Sequence, residues 1–138
     1  MATIALVMHE PLASAFSECA RHILGSDISL KVFDIPADAD IDLLTGHIVN
    51  SLKNQQDGAL IVCDLVGATP YNIAKYAIDI LAKHGTKTAI LTGANLNMVI
   101  KALVDPIKDP YKLRESVCDG AVRGIVTACI TDENINPN

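Results

Sequence analysis

The chain alternates short apolar runs with longer segments in which apolar residues recur every three or four positions. The apolar runs lie at residues 3–8, 59–63 and 88–91, residues 28–35 are interpreted as a further strand, and a helix-like segment follows each of the four. A run that is apolar throughout is typical of a strand buried on both faces, and parallel strands are usually joined by helices. The alternation therefore predicts an α/β fold, with a doubly wound, mainly parallel sheet of four strands and helices on both faces.

Helix signals stand where this fold needs them. Pro11 suits the first turn of the first helix, and Asp38 or Asp40 can cap the second. Thr69-Pro70 opens the third helix, and the last helix runs from Tyr111 to about Ala121. No composition shift marks a linker, so residues 1–138 are predicted to form a single domain.

The end of the chain has a different character. Ile125 to Ile130 is a β-prone run with no further helix to cover it, which predicts a final strand. Residues 131–138 are polar and are predicted to be a frayed tail. An isolated subunit would then show an apolar sheet edge, and exchange of this strand within a homodimer would cover it.

Charge and composition exclude several classes of function. Sixteen acidic residues face eleven Lys and Arg residues, the net charge is -5, and no basic run is present, so binding to nucleic acid or to an anionic membrane surface is not expected. The first apolar run has no preceding basic segment and predicts a strand, not a signal peptide. No run approaches the ~20 residues that cross a bilayer, so we expect a cytoplasmic protein. The four cysteines lie far apart without metal-site spacing, and we interpret them as reduced core thiols.

Reactive groups in an open parallel sheet gather beyond the carboxyl ends of the strands. Three loops meet this condition: His9-Glu10, the loop from Asp64 to Thr69, and the loop from Thr92 to Asn95. If the first and third strands are neighbours, His9 and Asp64 face each other. A carboxylate fixes an imidazole in one tautomer and leaves the other ring nitrogen more basic and open to solvent. His9 is then a nucleophile.

The surrounding residues suit an anion. Free N–H groups at the helix N-termini near Pro11 and Pro70 favour a phosphate, and Gly67 allows close approach of the backbone. The Thr69 hydroxyl can either cap its helix or bond a phosphoryl oxygen. The residues alone leave other interpretations open, because a loop histidine, a loop-capping Asp64 and a Thr-Pro helix start are common. Glu10 is interpreted as a solvated charge.

Three motifs carry a family resemblance, which covers nearly the whole chain in order. Ile4 to His9 with Leu12-Ala13 looks like a phosphorylated-histidine loop, and Asp64 to Asn72 resembles the specific signature D-x-x-G-[GA]-[ST]-P-x-N. Gly93 to Met98 is similar to a third loop, G-x-N-[LI]-P-M. By these motifs the chain resembles the IIA component of the mannose/fructose/sorbose class of the bacterial phosphoenolpyruvate-dependent sugar phosphotransferase system (PTS).

The resemblance implies a phosphoryl carrier. His9 would accept a phosphoryl group from the histidine phosphocarrier protein HPr and pass it to a IIB component, while Asp64 orients the imidazole. Thr69 and the amides around Gly67 and Ala68 would hold phosphoryl oxygens. No metal or dissociable cofactor is implied.

It also implies an assembly. In the family fold, a fifth, antiparallel strand is exchanged between the subunits of a homodimer, and Ile125 to Ile130 would be that strand. A membrane IIC/IID complex could recruit the protein without insertion of this chain. The residues expected at the partner surface or in the third loop are Glu10, Asn72, Asn95 and Asn97.

Three positions depart from the family pattern. Glu10 replaces a small residue, Asn97 replaces the usual proline, and Lys101 replaces a frequent acidic residue. His9 and Asp64 are unaffected. The departures leave the identity of the IIB partner open, and the sequence does not identify the sugar.

Three other functions compete with this interpretation. A response-regulator receiver would phosphorylate Asp64, but it needs paired acidic residues after the first strand and a Lys after the last, and His9-Glu10 stands in place of the pair. The phosphotransfer subunit of a phosphoenolpyruvate-dependent dihydroxyacetone kinase also carries a histidine after its first strand. A regulatory IIA would use the same histidine to signal, and the sequence does not separate it from a transport component.

Overall fold

The computed structural model describes residues 1–128, in which strands and helices alternate. The elements are β1 (Thr3–His9), α1 (Leu12–Leu24), β2 (Lys31–Ile35), α2 (Ile41–Leu52), β3 (Ala59–Cys63), α3 (Thr69–Lys83), β4 (Thr88–Leu91), α4 (Leu96–Val104) and α5 (Pro110–Arg123). The four strands form one sheet in the order β2-β1-β3-β4, and all three neighbouring pairs are parallel. The predicted α/β fold with a parallel sheet is confirmed.

Helices cover both faces of the sheet, and β1 shows why its sequence is apolar throughout. Ile4, Leu6 and Met8 pack toward α1, α4 and α5. Ala5 and Val7 pack toward α2 and α3. Because successive side chains of a strand point to opposite faces, a strand between two helical layers needs an apolar residue at every position.

The local signals explain most element boundaries. Asp40 caps α2, because its carboxylate accepts the backbone N–H of Leu43 at 3.1 Å. Pro11 stands immediately before α1, not inside its first turn. The helix α3 begins at Thr69 as expected, with Ala68 at the N-cap position and no capping bond from a side chain.

Two expectations were wrong in detail. The second strand was predicted from residue 28, but β2 begins at Lys31. Ile28 and Leu30 pack against the hydrophobic core without belonging to the strand, which explains their apolar character.

Cys19 is exposed on α1 and is not a core thiol, whereas Cys63 is buried at the end of β3, where burial raises its pKa to about 12.

The predicted last strand, Ile125 to Ile130, extends past the described part of the chain. Residues 125–128 have no strand assignment, and Ile125 and Val126 are exposed. Cys129, Ile130 and the predicted tail at 131–138 lie outside the described residues. The strand, its exchange and the homodimer therefore stay predictions. Among residues 1–128, no helix has the length and apolar character that crossing a bilayer requires.

Candidate functional site

The sheet order brings two predicted site residues together. β1 and β3 are neighbours, and Val7 lies opposite Cys63. His9 and Asp64 therefore leave the sheet side by side, and the His9 Nδ1 atom is 2.7 Å from the Asp64 Oδ2 atom. The backbone N–H of His9 donates to the same oxygen at 3.0 Å, and the N–H of Leu65 donates to Oδ1 at 3.0 Å. Three hydrogen bonds thus hold the carboxylate against the His9 ring and the backbone.

The electrostatics of this pair determine the tautomer of the ring. Burial raises the pKa of the Asp64 carboxyl, but hydrogen bonds from the His9 ring and from the His9 and Leu65 backbone outweigh burial, and the pKa lies below its ordinary value. An ionised carboxylate only accepts hydrogen bonds, so in the neutral ring Nδ1 is the nitrogen that carries the proton and Nε2 has the lone pair. The Asp64 side chain is 9% exposed and the His9 side chain 49%. The pair combines a shielded carboxylate with an imidazole that is half exposed.

The loop between β3 and α3 offers donors to an anion. Gly67 has a φ of +79°, and no atom lies within 4 Å of the point where a Cβ would stand. Within residues 1–128, the N–H groups of Gly67, Ala68 and Thr69 and the Thr69 hydroxyl have no hydrogen-bond partner. Since these groups stand at the N-terminus of α3, they can hold phosphoryl oxygens. The Asn72 amide donates to the Gly67 carbonyl at 3.5 Å and braces the loop from behind.

At the N-terminus of α1, which was also expected to favour an anion, a carboxylate of the chain already takes one of the free N–H groups. Asp34, near the end of β2, accepts the backbone N–H of Ser14 at 3.1 Å and also accepts the Ser14 hydroxyl. A carboxylate in this place compensates the partial positive charge of the helix N-terminus. The sequence analysis missed the pair because the two residues stand 20 positions apart and neither belongs to a motif.

The third loop supports the site from the other side. The Gly93 N–H donates to the backbone carbonyl of Asp64 at 3.2 Å, and the Ala94 N–H donates to that of Cys63 at 3.1 Å. Asn95 caps α4, because its side chain accepts the N–H of Met98 at 2.8 Å. The loop therefore holds the backbone on which the Asp64 carboxylate stands.

The two departures in and after this loop make contacts within the chain. Asn97 lies in the first turn of α4, and its amide donates to the Gly120 carbonyl of α5 at 3.4 Å. Lys101 lies one turn later, packs its methylene chain beside Gly120 and places its ammonium 3.3 Å from Asp105. Both side chains join α4 to α5 and do not reach toward His9.

Comparison with known proteins identifies the family of the chain and structures with the same fold. A family model described as "PTS system fructose IIA component" matches residues 3–109. Among solved structures, the chain is similar to a mannose/sorbose specific IIA subunit of the phosphotransferase system from Enterococcus faecalis, with 20% identity, a TM-score of 0.83 and coverage of 95% of this chain and 97% of that one.

Two further structures share the fold. The phosphotransferase system component EIIA from Streptococcus agalactiae has 20% identity and a TM-score of 0.83, with coverage of 92% of this chain and 97% of that one. A PTS IIA protein associated with the fucose utilization operon from Streptococcus pneumoniae has 18% identity and a TM-score of 0.70, with coverage of 92% and 96%.

Proposed function

Since the chain belongs to the family of PTS IIA components, we propose that its His9 accepts a phosphoryl group from phospho-HPr and passes it to a IIB component. The observation that carries the proposal is the 2.7 Å contact between His9 Nδ1 and Asp64, with half of the His9 side chain open to solvent. The contact holds the ring so that the free nitrogen is presented to an incoming protein.

The transfer needs no proton movement at His9. The Nε2 lone pair attacks phosphorus, a new N–P bond forms, and the N–P bond to the donor imidazole breaks, with its electron pair returning to the donor ring. Because Nδ1 keeps its proton, the phosphorylated His9 ring is formally cationic, and the adjacent Asp64 carboxylate stabilises that charge. The reverse sequence, with a IIB nucleophile as the attacking group, unloads the carrier.

The α3 N-terminus would hold the group in transit. The unpartnered amides of Gly67, Ala68 and Thr69 and the Thr69 hydroxyl can donate to the three phosphoryl oxygens, over which the negative charge of the metaphosphate-like transition state is spread. These donors are fixed by the helix and the braced loop. They therefore need little reorganisation during transfer.

The proposal is tested by intact-mass measurement after incubation with phosphoenolpyruvate, enzyme I and HPr. We expect one acid-labile, base-stable phosphoryl group on the unmodified chain and none on His9→Ala. A matched control is His22→Ala, which removes an exposed imidazole near the end of α1 and should be labelled at the normal rate. Label that persists in His9→Ala, or that appears on Asp64, contradicts the assignment.

A further inference from the structure

Folding gathers basic residues at the amino-terminal end of the sheet, opposite to His9. Three segments there, residues 53–58, 83–87 and 108–115, contain six of the eleven Lys and Arg residues and three of the sixteen acidic residues. Together we call these segments the basic end. The sequence shows no basic run because β3, α3, β4 and α4 separate the segments along the chain. The net charge of -5 therefore hides a local excess of the opposite sign.

The three segments contact one another. The Thr86 hydroxyl donates to the Lys53 carbonyl at 2.7 Å, and the Lys87 ammonium is 2.7 Å from the Asp109 carboxylate. A Cβ at Gly58 would collide with the Lys87 carbonyl, so the first two segments also pack backbone against backbone. The basic end is thus one continuous surface.

The carboxylates of the basic end are engaged, whereas most of its lysines are not. Each carboxylate has a cation at 2.6, 2.7 or 3.3 Å, in the pairs Asp57 with the terminal ammonium of Met1, Asp109 with Lys87, and Glu115 with Arg114. The other cations form no ion pair within residues 1–128: Lys53, Lys83, Lys108 and Lys112. All but the half-buried Lys53 are exposed. Four positive charges are therefore available to a partner.

Helix stability accounts for only two of the four free lysines. Lys53 is the C-cap of α2 and Lys83 lies in the last turn of α3, where a cation is favourable. Lys108 and Lys112 flank Asp109, the N-cap of α5, and the first turn of that helix has no acidic residue. A helix N-terminus carries partial positive charge, so these two cations stand where they oppose the helix. Their position calls for an anion from outside the chain.

The apolar content of the basic end distinguishes between kinds of anionic partner. Among its large apolar side chains only Tyr111 is exposed, by 44%, and its ring centroid is 5.4 Å from both the Lys87 ammonium and the Arg114 guanidinium. A protein interface normally has an apolar core, which a single tyrosine does not provide. An anionic lipid surface attracts exposed lysines individually and accepts an amphipathic ring at the level of its headgroups.

We propose that the basic end is a docking surface for the anionic headgroups of a lipid bilayer. Thr3 lies at this end, because its N–H donates to the Gly58 carbonyl at 2.9 Å, and β1 places it about 20 Å from His9 at ~3.3 Å per residue. Screening in physiological salt acts over about 8 Å, so the acidic groups near His9 lie outside the repulsion of the lipid surface. Docking leaves His9 facing the solution. The proposal goes beyond the proposed function and does not depend on it.

The test measures co-sedimentation of the full chain with vesicles of phosphatidylglycerol and phosphatidylcholine in equal parts, at low and at high salt. Vesicles of phosphatidylcholine alone give the background. The patch variant carries Lys108→Gln and Lys112→Gln. The matched control carries Lys75→Gln and Arg123→Gln, which remove two exposed cations from the middle of α3 and the end of α5.

We expect the unmodified chain to bind the anionic vesicles at low salt and to dissociate at high salt. The patch variant should bind about tenfold more weakly or less, and the control within about twofold of the unmodified chain. Urea unfolding separates this loss from misfolding, because removal of two cations from the start of α5 should leave the fold equally stable or more stable.

Three results would overturn the proposal. The first is no binding of the unmodified chain to anionic vesicles at low salt. The second is an equal loss of binding in the patch variant and the control, which would mean that net charge and not the basic end governs binding. The third comes from a labelled DNA duplex as a competing probe. Tighter binding to DNA than to the vesicles, weakened in the patch variant, would assign the basic end to nucleic acid instead.

Discussion

Asp64 and Asp105 are two shielded carboxylates with similar surroundings and different consequences. The Asp105 side chain is 3% exposed and accepts the Ser116 hydroxyl at 2.6 Å, the Ile107 N–H at 3.1 Å and the Lys101 ammonium at 3.3 Å. Burial raises its pKa, these three partners outweigh burial, and the net pKa is lowered, as it is for Asp64. Burial and a lowered pKa therefore do not by themselves identify a reactive site.

The partners make the difference. Asp105 joins the end of α4, the following loop and α5, and its donors are a hydroxyl, an amide and an ammonium, none of which has a nucleophilic atom directed at a substrate. Asp64 holds the His9 imidazole, and 49% of that side chain is exposed. A carboxylate contributes to chemistry when it hydrogen-bonds one nitrogen of a ring whose other nitrogen can react. It contributes to stability when its hydrogen-bond donors are groups with no reactive atom of their own.

We expect the largest effect from substitution of Asp64, which should slow phosphoryl transfer where substitution of Asp105 does not. Asp64→Asn keeps the shape of the side chain but removes the charge that fixes the His9 tautomer and stabilises the phosphorylated ring. We expect a ten- to a thousandfold slower transfer, roughly, since the corresponding change in a serine-protease triad costs about 10⁴ but also disrupts proton transfer. Single-turnover transfer from phospho-HPr, followed by rapid quench and intact mass, measures the rate. A normal transfer rate in Asp64→Asn would mean that the carboxylate only caps the loop and has no role in transfer.

Asp105→Asn should lower the stability of the fold and leave the transfer rate nearly unchanged. It weakens the charge-assisted bonds that join α4 to α5, and we expect a loss of about 2 kcal/mol in the free energy of unfolding. The transfer rate at 25 °C should stay within about twofold of normal. Urea unfolding and the single-turnover assay, applied to the same preparation, give both numbers. A rate loss comparable to that of Asp64→Asn would remove the distinction between the two carboxylates.

The smallest expected effect is a change in the stability contribution of Asp105 at acid pH. The pKa of Asp105 is lower in the folded chain than the ordinary value of 3.8, so its ionised form contributes stability that is fully present above that value. The contribution is lost as the pH falls through the folded pKa. The stability difference between the unmodified chain and Asp105→Asn should therefore be constant from pH 7 to about pH 5 and narrow below about pH 4. Urea unfolding at pH 7, 5 and 3 measures it, and a difference independent of pH would assign the role of Asp105 to shape instead of charge.

The sequence allowed the His9–Asp64 pair to be predicted, because each residue ends an apolar run and parallel strands align their carboxyl ends. Only the adjacency of the first and third strands had to be assumed, and the sheet order confirms it. The Asp105 network could not be predicted. Asp105-Pro106 looks like an ordinary helix stop, and the burial of the carboxylate depends on how α5 packs, which brings Ser116 to it.

Non-local packing also explains the departures from the family pattern. Asn97 and Lys101 were expected to bear on partner choice, because they depart from the family pattern in the third loop and one turn after it. Both contact Gly120, which is 23 and 19 positions away from them along the chain. Local patterns identify which residues stand at the end of a strand. They do not show which helix face a side chain will meet.

The Asp34 carboxylate at the start of α1 has a consequence for what the site can discriminate. Two open helix N-termini beside one another would suit a diphosphate or a nucleotide tail, whose charge is spread over two phosphorus atoms. Here the Asp34 carboxylate already lies at the start of α1, where it accepts the N–H of Ser14, whereas the amides of Gly67, Ala68 and Thr69 at the start of α3 have no partner within residues 1–128. Under the proposed function, the site would therefore favour a single phosphoryl group, because a second phosphate at the start of α1 would meet the negative charge of Asp34.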